Sequence, residues 1–324
     1  MKFDFHKNHI LLFLTVFAGF LLISIVVAVG PALNVQNINK PLPGSKPLTP
    51  SEERGLAIYV SEGCLYCHTQ QVRPLHTDKQ YGRPSAPGDY ARMKPIDFWR
   101  FTPSTLGSER TGPDLSNIGK RQPSEAWHYI HLFNPRAIVK ESIMQAYPWM
   151  FEIKENTTTN DVIVTLPPEF TPEKGKVVAK QDAMDLVAYL LSLRQTPIKL
   201  TGNSTDSTSL NTSAGDQVNK GNQLYSTQCA SCHQINGQGV PNVFPPLIDD
   251  PVLNDPDPTE HINIILNGLQ GKVINKIEYA SAMPPHRDLL TDEEIALIVN
   301  YEREKWGNTD SVVTAQDVAE LRKN

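Results

Sequence analysis

The longest uninterrupted feature of the chain is apolar: Ile10 to Val29, twenty residues without a charge. At ~1.5 Å per residue such a run spans the ~30 Å hydrocarbon core of a bilayer as a helix. A cleaved signal peptide is the rival reading, but its apolar region is usually only ~7–15 residues. Pro31 directly after Ala28-Val29-Gly30 also suits cleavage poorly, so the pattern predicts an uncleaved anchor. Residues 1–9 precede it. Lys2 and Lys7 there favour that end inside, although Lys40 and Lys46 follow the span. Residues 30–50, rich in Pro and Asn, predict an extended stalk. A first domain follows over 51–195, closing on the periodic apolar segment Asp182–Leu193. Residues 196–215, dominated by Ser, Thr, Asn and Gly, predict a flexible linker with only a sequon at Asn211. A second domain is expected over 216–307. Its last helix, Asp292–Lys305, is opened by a capping box from Thr291 to Glu294. Residues 308–324 read as a polar tail.

The two domains share a plan. Each opens with a helical segment (RGLAIYVSEG, KGNQLYSTQ) that runs into Cys-x-x-Cys-His. Each continues through an irregular middle, presents a Met and ends in a helix. The expected fold is therefore mostly α: one transmembrane helix and two small repeated domains.

Composition narrows the function classes. Of 324 residues, 40% are hydrophobic and 20% charged, which predicts globular parts rather than disorder. A net charge of -5 argues against nucleic acid as a partner. Four cysteines are too few for a disulfide scaffold of this size. One long apolar stretch excludes a multi-span transporter.

All four cysteines fall into one motif used twice, Cys64-Leu-Tyr-Cys67-His68 and Cys229-Ala-Ser-Cys232-His233. Cys-x-x-Cys-His is the signature of c-type haem attachment: two thiols meet the two vinyl groups, and the adjacent His reaches the iron. A redox dithiol needs no neighbouring His, and zinc needs further ligands at regular spacing. Two covalently attached haem c groups are therefore expected. Met283, in Ser-Ala-Met-Pro-Pro, is the one Met of the second domain and the expected sixth ligand there. In the first domain Met93, Met144, Met150 and Met184 compete. Met184 lies in the apolar helix and Met150 follows Trp149; Met144 matches the placement of Met283 less tightly, and the resemblance described below favours it. With Met in the sixth position, chemistry on oxygen or a substrate at these haems is not expected.

A metal-bound His needs a partner for its other ring nitrogen. The carbonyls of Pro113 (Gly112-Pro-Asp-Leu115) and Pro245 (Pro245-Pro-Leu247) are assigned that role, and Arg110 is a candidate for a haem propionate. His128 and His131 read as one face of a packed or partner-facing helix, and His76, His261 and His286 as surface or loop residues. No phosphate loop, Ser/His/Asp set or carboxylate pair is evident. Charge separates the domains: residues 216–305 hold 13 acidic and 6 basic residues, against 17 and 17 in 51–195. An acidic second domain suits a basic electron donor. Haem c is attached outside the bacterial cytoplasmic membrane, which places both domains in the periplasm.

The first domain also carries an ordered set of motifs. These are Tyr59–Arg73 with Pro74, Tyr81-Gly-Arg-Pro-Ser85, Arg110–Leu115, Trp127–Leu132, Asn134-Pro-Arg136 and Glu141-Ser-Ile-Met144. The set resembles the membrane-anchored monohaem subunit II (FixO/CcoO-type) of cbb(3)-type cytochrome c oxidase, over roughly residues 10–195. The resemblance implies haem attachment at Cys64 and Cys67, with His68 and Met144 as axial ligands. It also implies a membrane helix packed on a catalytic subunit that holds b-type haems and copper. Residues 90–109 are looser than the family pattern, and Gln145 stands where a Pro usually follows the Met. The family member usually ends after one haem domain, whereas here a second domain resembling a class I cytochrome c is fused on.

The expected function is a dihaem electron-transfer subunit of such an oxidase. It would be fed by a periplasmic donor such as a cytochrome c or a bc1-type complex, and would have no catalytic site of its own. The alternatives are a stand-alone dihaem cytochrome or oxidoreductase resembling thiosulfate dehydrogenase or a peroxidase, or a subunit of a nitric oxide reductase-type complex.

Overall fold

The computed structural model describes residues 7–38, 42–44, 46–90, 107–196, 214–271, 273–274, 277–279, 281–307 and 312–323. Met93, most of 90–109 and nearly all of the expected linker lie outside the described residues. The chain divides into two compact units. One contains residues 1–48, 85–104 and 196–198; the other contains 49–84, 105–195 and 199–324. Both expected haem domains are thus parts of one unit.

The apolar run is helical from α1 (His9–Ser24), through a π-helical turn at Ile25–Val29, into α2 (Gly30–Ile38). The expectation of an extended stalk from residue 30 is corrected here, because helix continues through Pro31 as far as Ile38. Proline lacks the N–H for the i−4 bond, and its ring collides with that carbonyl. The wider turn just before it absorbs the misfit: the Gly30 N–H bonds the Ile25 carbonyl, five residues back. Residues His9–Asn34 are long and apolar enough to cross a membrane, and no side chain of α1 is buried.

The second unit begins with α3 (Pro50–Ser61), followed in the chain by a single turn, α4 (Pro87–Tyr90), that belongs to the first unit. Thr49 caps α3: its Oγ1 accepts from the Glu52 N–H at 3.4 Å, and the Glu52 carboxylate accepts from the Thr49 N–H at 2.6 Å. Next come α5 (Ile118–Arg121), α6 (Glu125–Phe133) and a small antiparallel sheet. Its strands β1 (Phe151–Lys154), β2 (Ile163–Val164) and β3 (Lys176–Ala179) lie in the order β1-β3-β2. Helix α7 (Gln181–Ser192) closes this domain by crossing α3.

The second domain opens with α8 (Ala214–Gln228), the short α9 (Ala230–His233), α10 (Pro251–Asn254) and α11 (Thr259–Asn267). A two-residue hairpin pairs β4 (Val273–Ile274) with β5 (Ile277–Glu278), and α12 (Asp292–Trp306) packs across α8. Helix α13 (Ala315–Arg322) follows. The expected polar tail is therefore corrected. Val313 and Val318 are buried in the core of this domain, and the Arg322 Nε donates to Asp292 at 2.6 Å. Two separated valines in a short polar stretch gave too little periodicity to read in advance.

The repeat seen in the sequence has a packing cause. A Cβ placed on Gly55 would lie 2.0 Å from the Asp185 carbonyl oxygen, and one on Gly221 would lie 2.6 Å from that of Leu297. Each glycine lets the helix before a Cys-x-x-Cys-His motif touch the backbone of the domain's closing helix. One turn later the pattern repeats: Tyr59 packs on Tyr189 at 5.6 Å between ring centroids, and Tyr225 on Tyr301 at 5.4 Å.

Candidate functional site

Each opening helix delivers its motif. Helix α3 ends at Gly63, whose φ of +74° suits a residue without a Cβ, and the chain turns at once through Cys64–Tyr66. In the second domain α8 runs into α9, which carries Cys232 and His233. No disulfide joins the four cysteines.

The first His ring is held from two sides. His68 Nδ1 donates to the Pro113 carbonyl at 2.8 Å. A carbonyl only accepts, so Nδ1 carries the proton and Nε2 keeps its lone pair. Gly112 lies against the same ring: a Cβ there would come within 2.3 Å of Cε1. The segment is fixed by Asp114, whose buried carboxylate accepts from the Thr69 hydroxyl at 2.6 Å and the Gln71 N–H at 2.8 Å. The second site repeats this, with His233 Nδ1 donating to the Pro245 carbonyl at 2.9 Å. Both prolines assigned from the sequence thus carry the expected hydrogen bonds.

A cleft partly open to solvent brings together Cys229, Cys232, His233, Pro245 and Met283. Apolar residues such as Phe244 and Leu269 supply much of its wall. Met283 is pinned by two backbone bonds to Leu269, at 2.8 and 3.1 Å. The chain turns into Leu269 at Gly268, where φ is +77°. Gln228 Oε1 and His286 Nδ1 are buried atoms of the lining without a hydrogen-bond partner. An apolar slot with two thiols, one imidazole, one thioether and unspent polar atoms fits a haem. Burial pushes the Cys64 and Cys232 thiols up to about 12, and Cys229 well above its usual value. Among the described residues no group of three or more His, Cys, Asp or Glu side chains converges as a metal site would require.

In the first domain Met144 is half-buried in the loop after α6, and its N–H donates to Ser142 Oγ at 3.3 Å. The same loop brings Tyr147 onto Cys64, and the Tyr147 N–H bonds the Leu132 carbonyl at 2.9 Å. Met150 is buried and Met184 half-buried. Arg110 already has protein partners. Its Nη2 donates to the Gln71 carbonyl at 2.6 Å, and its Nη1 meets Asp78 at 3.2 Å. The structure thus ties Arg110 to the 71–78 segment. Asp78 also accepts from the Arg73 N–H and Nε, each at 3.0 Å.

His76 is exposed, as expected, but two other histidines are not. His261 is buried on α11, 2.8 Å from the buried Glu302, and both line the second cavity. His286 is buried in the same lining. Sequence reading missed them because single histidines carry no periodic signal. In α6, His128 Nε2 donates to the Gln122 carbonyl at 2.9 Å, and His131 stacks on Trp127 at 4.4 Å. Both belong to a packed helix, as expected.

Comparison with known proteins decides the family. Residues 4–167 match the profile described as cytochrome c oxidase, mono-heme subunit/FixO. The chain belongs to the FixO family. In addition to this FixO region, residues 218–304 match the cytochrome c profile. The FixO-family chain is 37% identical over 136 residues to the cytochrome c subunit of alcohol dehydrogenase (quinone) from Gluconobacter oxydans (strain 621H). That match covers 41% of this chain and 28% of the relative. It is 36% identical over 112 residues to the gluconate 2-dehydrogenase cytochrome c subunit of Pantoea cypripedii, covering 34% and 25%. It is 38% identical over 111 residues to cytochrome c-552 of Thermus thermophilus, covering 32% and 83%. The chain thus spans only about a third or less of the dehydrogenase subunits it matches. Cytochrome c domains imply covalent haem c, and the apolar N-terminal helix fits a membrane anchor.

The network at Asp78 gives one prediction. Its arginines hold the Asp78 carboxyl well below the usual carboxylate range, with the Arg73 hydrogen bond the largest cause. A depressed pKa in the folded state stabilises above the unfolded value and is lost as pH falls through the folded one. Denaturant unfolding of the first domain should therefore weaken steeply below about pH 4. Asp78→Asn should already lack about 3 kcal/mol at neutral pH and show a flatter acid limb. Identical acid limbs for the two proteins would sink this account.

Proposed function

We propose that the chain is the dihaem electron-transfer subunit of a cbb(3)-type haem-copper oxidase. The reading rests on the FixO match joined to two Cys-x-x-Cys-His motifs, each with its His locked on a proline carbonyl. Cys64 and Cys67 would hold one haem, with His68 and Met144 as its iron ligands, and Cys229 and Cys232 would hold the other, with His233 and Met283. Haem c supplies a one-electron carrier between its two iron oxidation states. The chain's own residues set the conditions. Pro113 and Pro245 fix the tautomer that presents Nε2 to the iron, and Gly112 leaves the His68 ring its place. Phe244, Leu247 and Leu269 exclude water from the second slot. The anchor crosses the membrane with its N-terminus in the cytoplasm, and both domains lie in the periplasm. Electrons from a periplasmic cytochrome c or bc1-type complex enter at the second domain and leave from the first to the catalytic subunit. A second reading, favoured by the dehydrogenase relatives, is a cytochrome subunit that takes electrons from a dehydrogenase.

A pyridine haemochrome spectrum of the detergent-solubilised chain and its co-purifying partners tests this. The expected result is haem b alongside two haem c per chain, with copper found by a separate metal analysis. A partner carrying a dehydrogenase cofactor and neither haem b nor copper would transfer the chain to the second reading.

A further inference from the structure

We infer that Trp127 bridges the two haem sites, docking the second motif onto α6 of the first domain and, through its stack on His131, coupling the sites electronically. The inference rests on the two-haem reading above. Its geometry centres on Ser231, the residue just before Cys232. Trp127 Nε1 donates to the Ser231 carbonyl at 3.0 Å, and Gln122 Nε2 donates to Ser231 Oγ at 2.5 Å. Ser231 Oγ in turn lies 3.9 Å from Cys232 Sγ. Gln122 is itself fixed, since its carbonyl accepts from His128 Nε2 at 2.9 Å. Gln122 and Pro123 also line the cavity that holds Cys229, Cys232 and His233.

The Met side of the second site meets the same element. A second groove runs between Pro123–Ala126 of the first domain and Ser281, Ala282 and Pro284, the neighbours of Met283. The turn into α6 therefore bonds the Cys loop and faces the Met loop across that groove. From Trp127 the path continues inward. Its ring lies 4.4 Å from His131 with 14° between planes. Leu132, the next residue, holds the loop that places Tyr147 on Cys64. Two π systems thus fill the gap between the motifs where saturated side chains would couple more weakly. Cys67 is exposed, whereas Cys64, Cys229 and Cys232 are half-buried. One electron leaves the second site and one arrives at the first; no bond forms or breaks and no proton moves.

The test uses the full-length holoprotein in detergent, as wild type, Trp127→Phe and Trp127→Leu. Hydrogen exchange of the 229–233 amides reads docking, and flash photoreduction reads transfer between the sites. Trp127→Leu is expected to raise exchange at 229–233 and to slow transfer about tenfold, while Trp127→Phe keeps a stacked ring and most of the rate. Unchanged exchange in Trp127→Leu overturns the docking. Raised exchange with an unchanged transfer rate overturns the coupling. A wild-type spectrum with one haem c per chain overturns the two-haem reading instead, and the exchange comparison still decides the docking.

Discussion

Gly55→Ala is expected to remove the haem c of the first domain and leave that of the second. The new methyl would sit 2.0 Å from the Asp185 carbonyl oxygen and 2.6 Å from Tyr189 Cβ. These are a backbone atom and a Cβ, so no side-chain rotation relieves the overlap, and α3 must lift from α7. With it go the Arg54 Nε bond to Asp185 at 2.6 Å and the Tyr59–Tyr189 contact. Alanine returns about 1 kcal/mol of helix propensity. Overpacking and the lost buried contacts outweigh it, for a net cost of about 4 kcal/mol. Gly221→Ala should act in the same way on the second domain but more mildly, since the closest backbone atom there is 2.6 Å away. Haem c per chain and the unfolding transition of each domain are the measurements. A Gly55→Ala protein with full haem content and an unchanged transition would falsify the close crossing.

Gly112→Ala attacks the first site without touching the helix crossing. Its methyl would lie 2.3 Å from Cε1 and 2.6 Å from Nδ1 of His68. The ring must rotate or retreat, and either movement breaks its bond to the Pro113 carbonyl at 2.8 Å. The hydrogen bond itself contributes only about 1 kcal/mol. The larger effect is on the ring's orientation, because loss of such outer partners typically costs metal sites ~10–100-fold in affinity or activity. The expected result is an intact fold in which half the haem c loses its axial His and binds carbon monoxide on reduction. The second site, held by Pro245, should keep its spectrum. Carbon monoxide binding no greater than in wild type would mean that Gly112 is not what keeps the ring in place.

Much of this was legible because covalent chemistry leaves rigid spacing in a sequence. Cys-x-x-Cys-His admits few readings, and a Pro followed by Leu points to a carbonyl for the His. Helices α7 and α12 were visible through apolar periodicity and, for α12, a capping box. The close crossings at Gly55 and Gly221 were present in the aligned segments RGLAIY and KGNQLY, yet a lone helical glycine gives no hint of its neighbour. Pairings distant in sequence, such as His261 with Glu302 or Trp127 with Ser231, depend on how the helices meet. The short strands β1–β3 lack the alternating pattern that marks a longer strand. The Arg110 contact with Asp78 was not legible, because Asp78 lies 32 residues earlier in the sequence.

The continuous run from His9 to Ile38 changes the mechanics of the anchor. Thirty helical residues at ~1.5 Å each reach ~45 Å, beyond the ~30 Å hydrocarbon layer and about equal to a bilayer with its headgroups. A Pro- and Asn-rich coil over residues 30–38 would behave as a slack entropic spring. A helix resists bending and torsion, so rotation of the buried part carries through to the polar boundary. The π-turn at Ile25–Val29 is the one compliant joint along that rod.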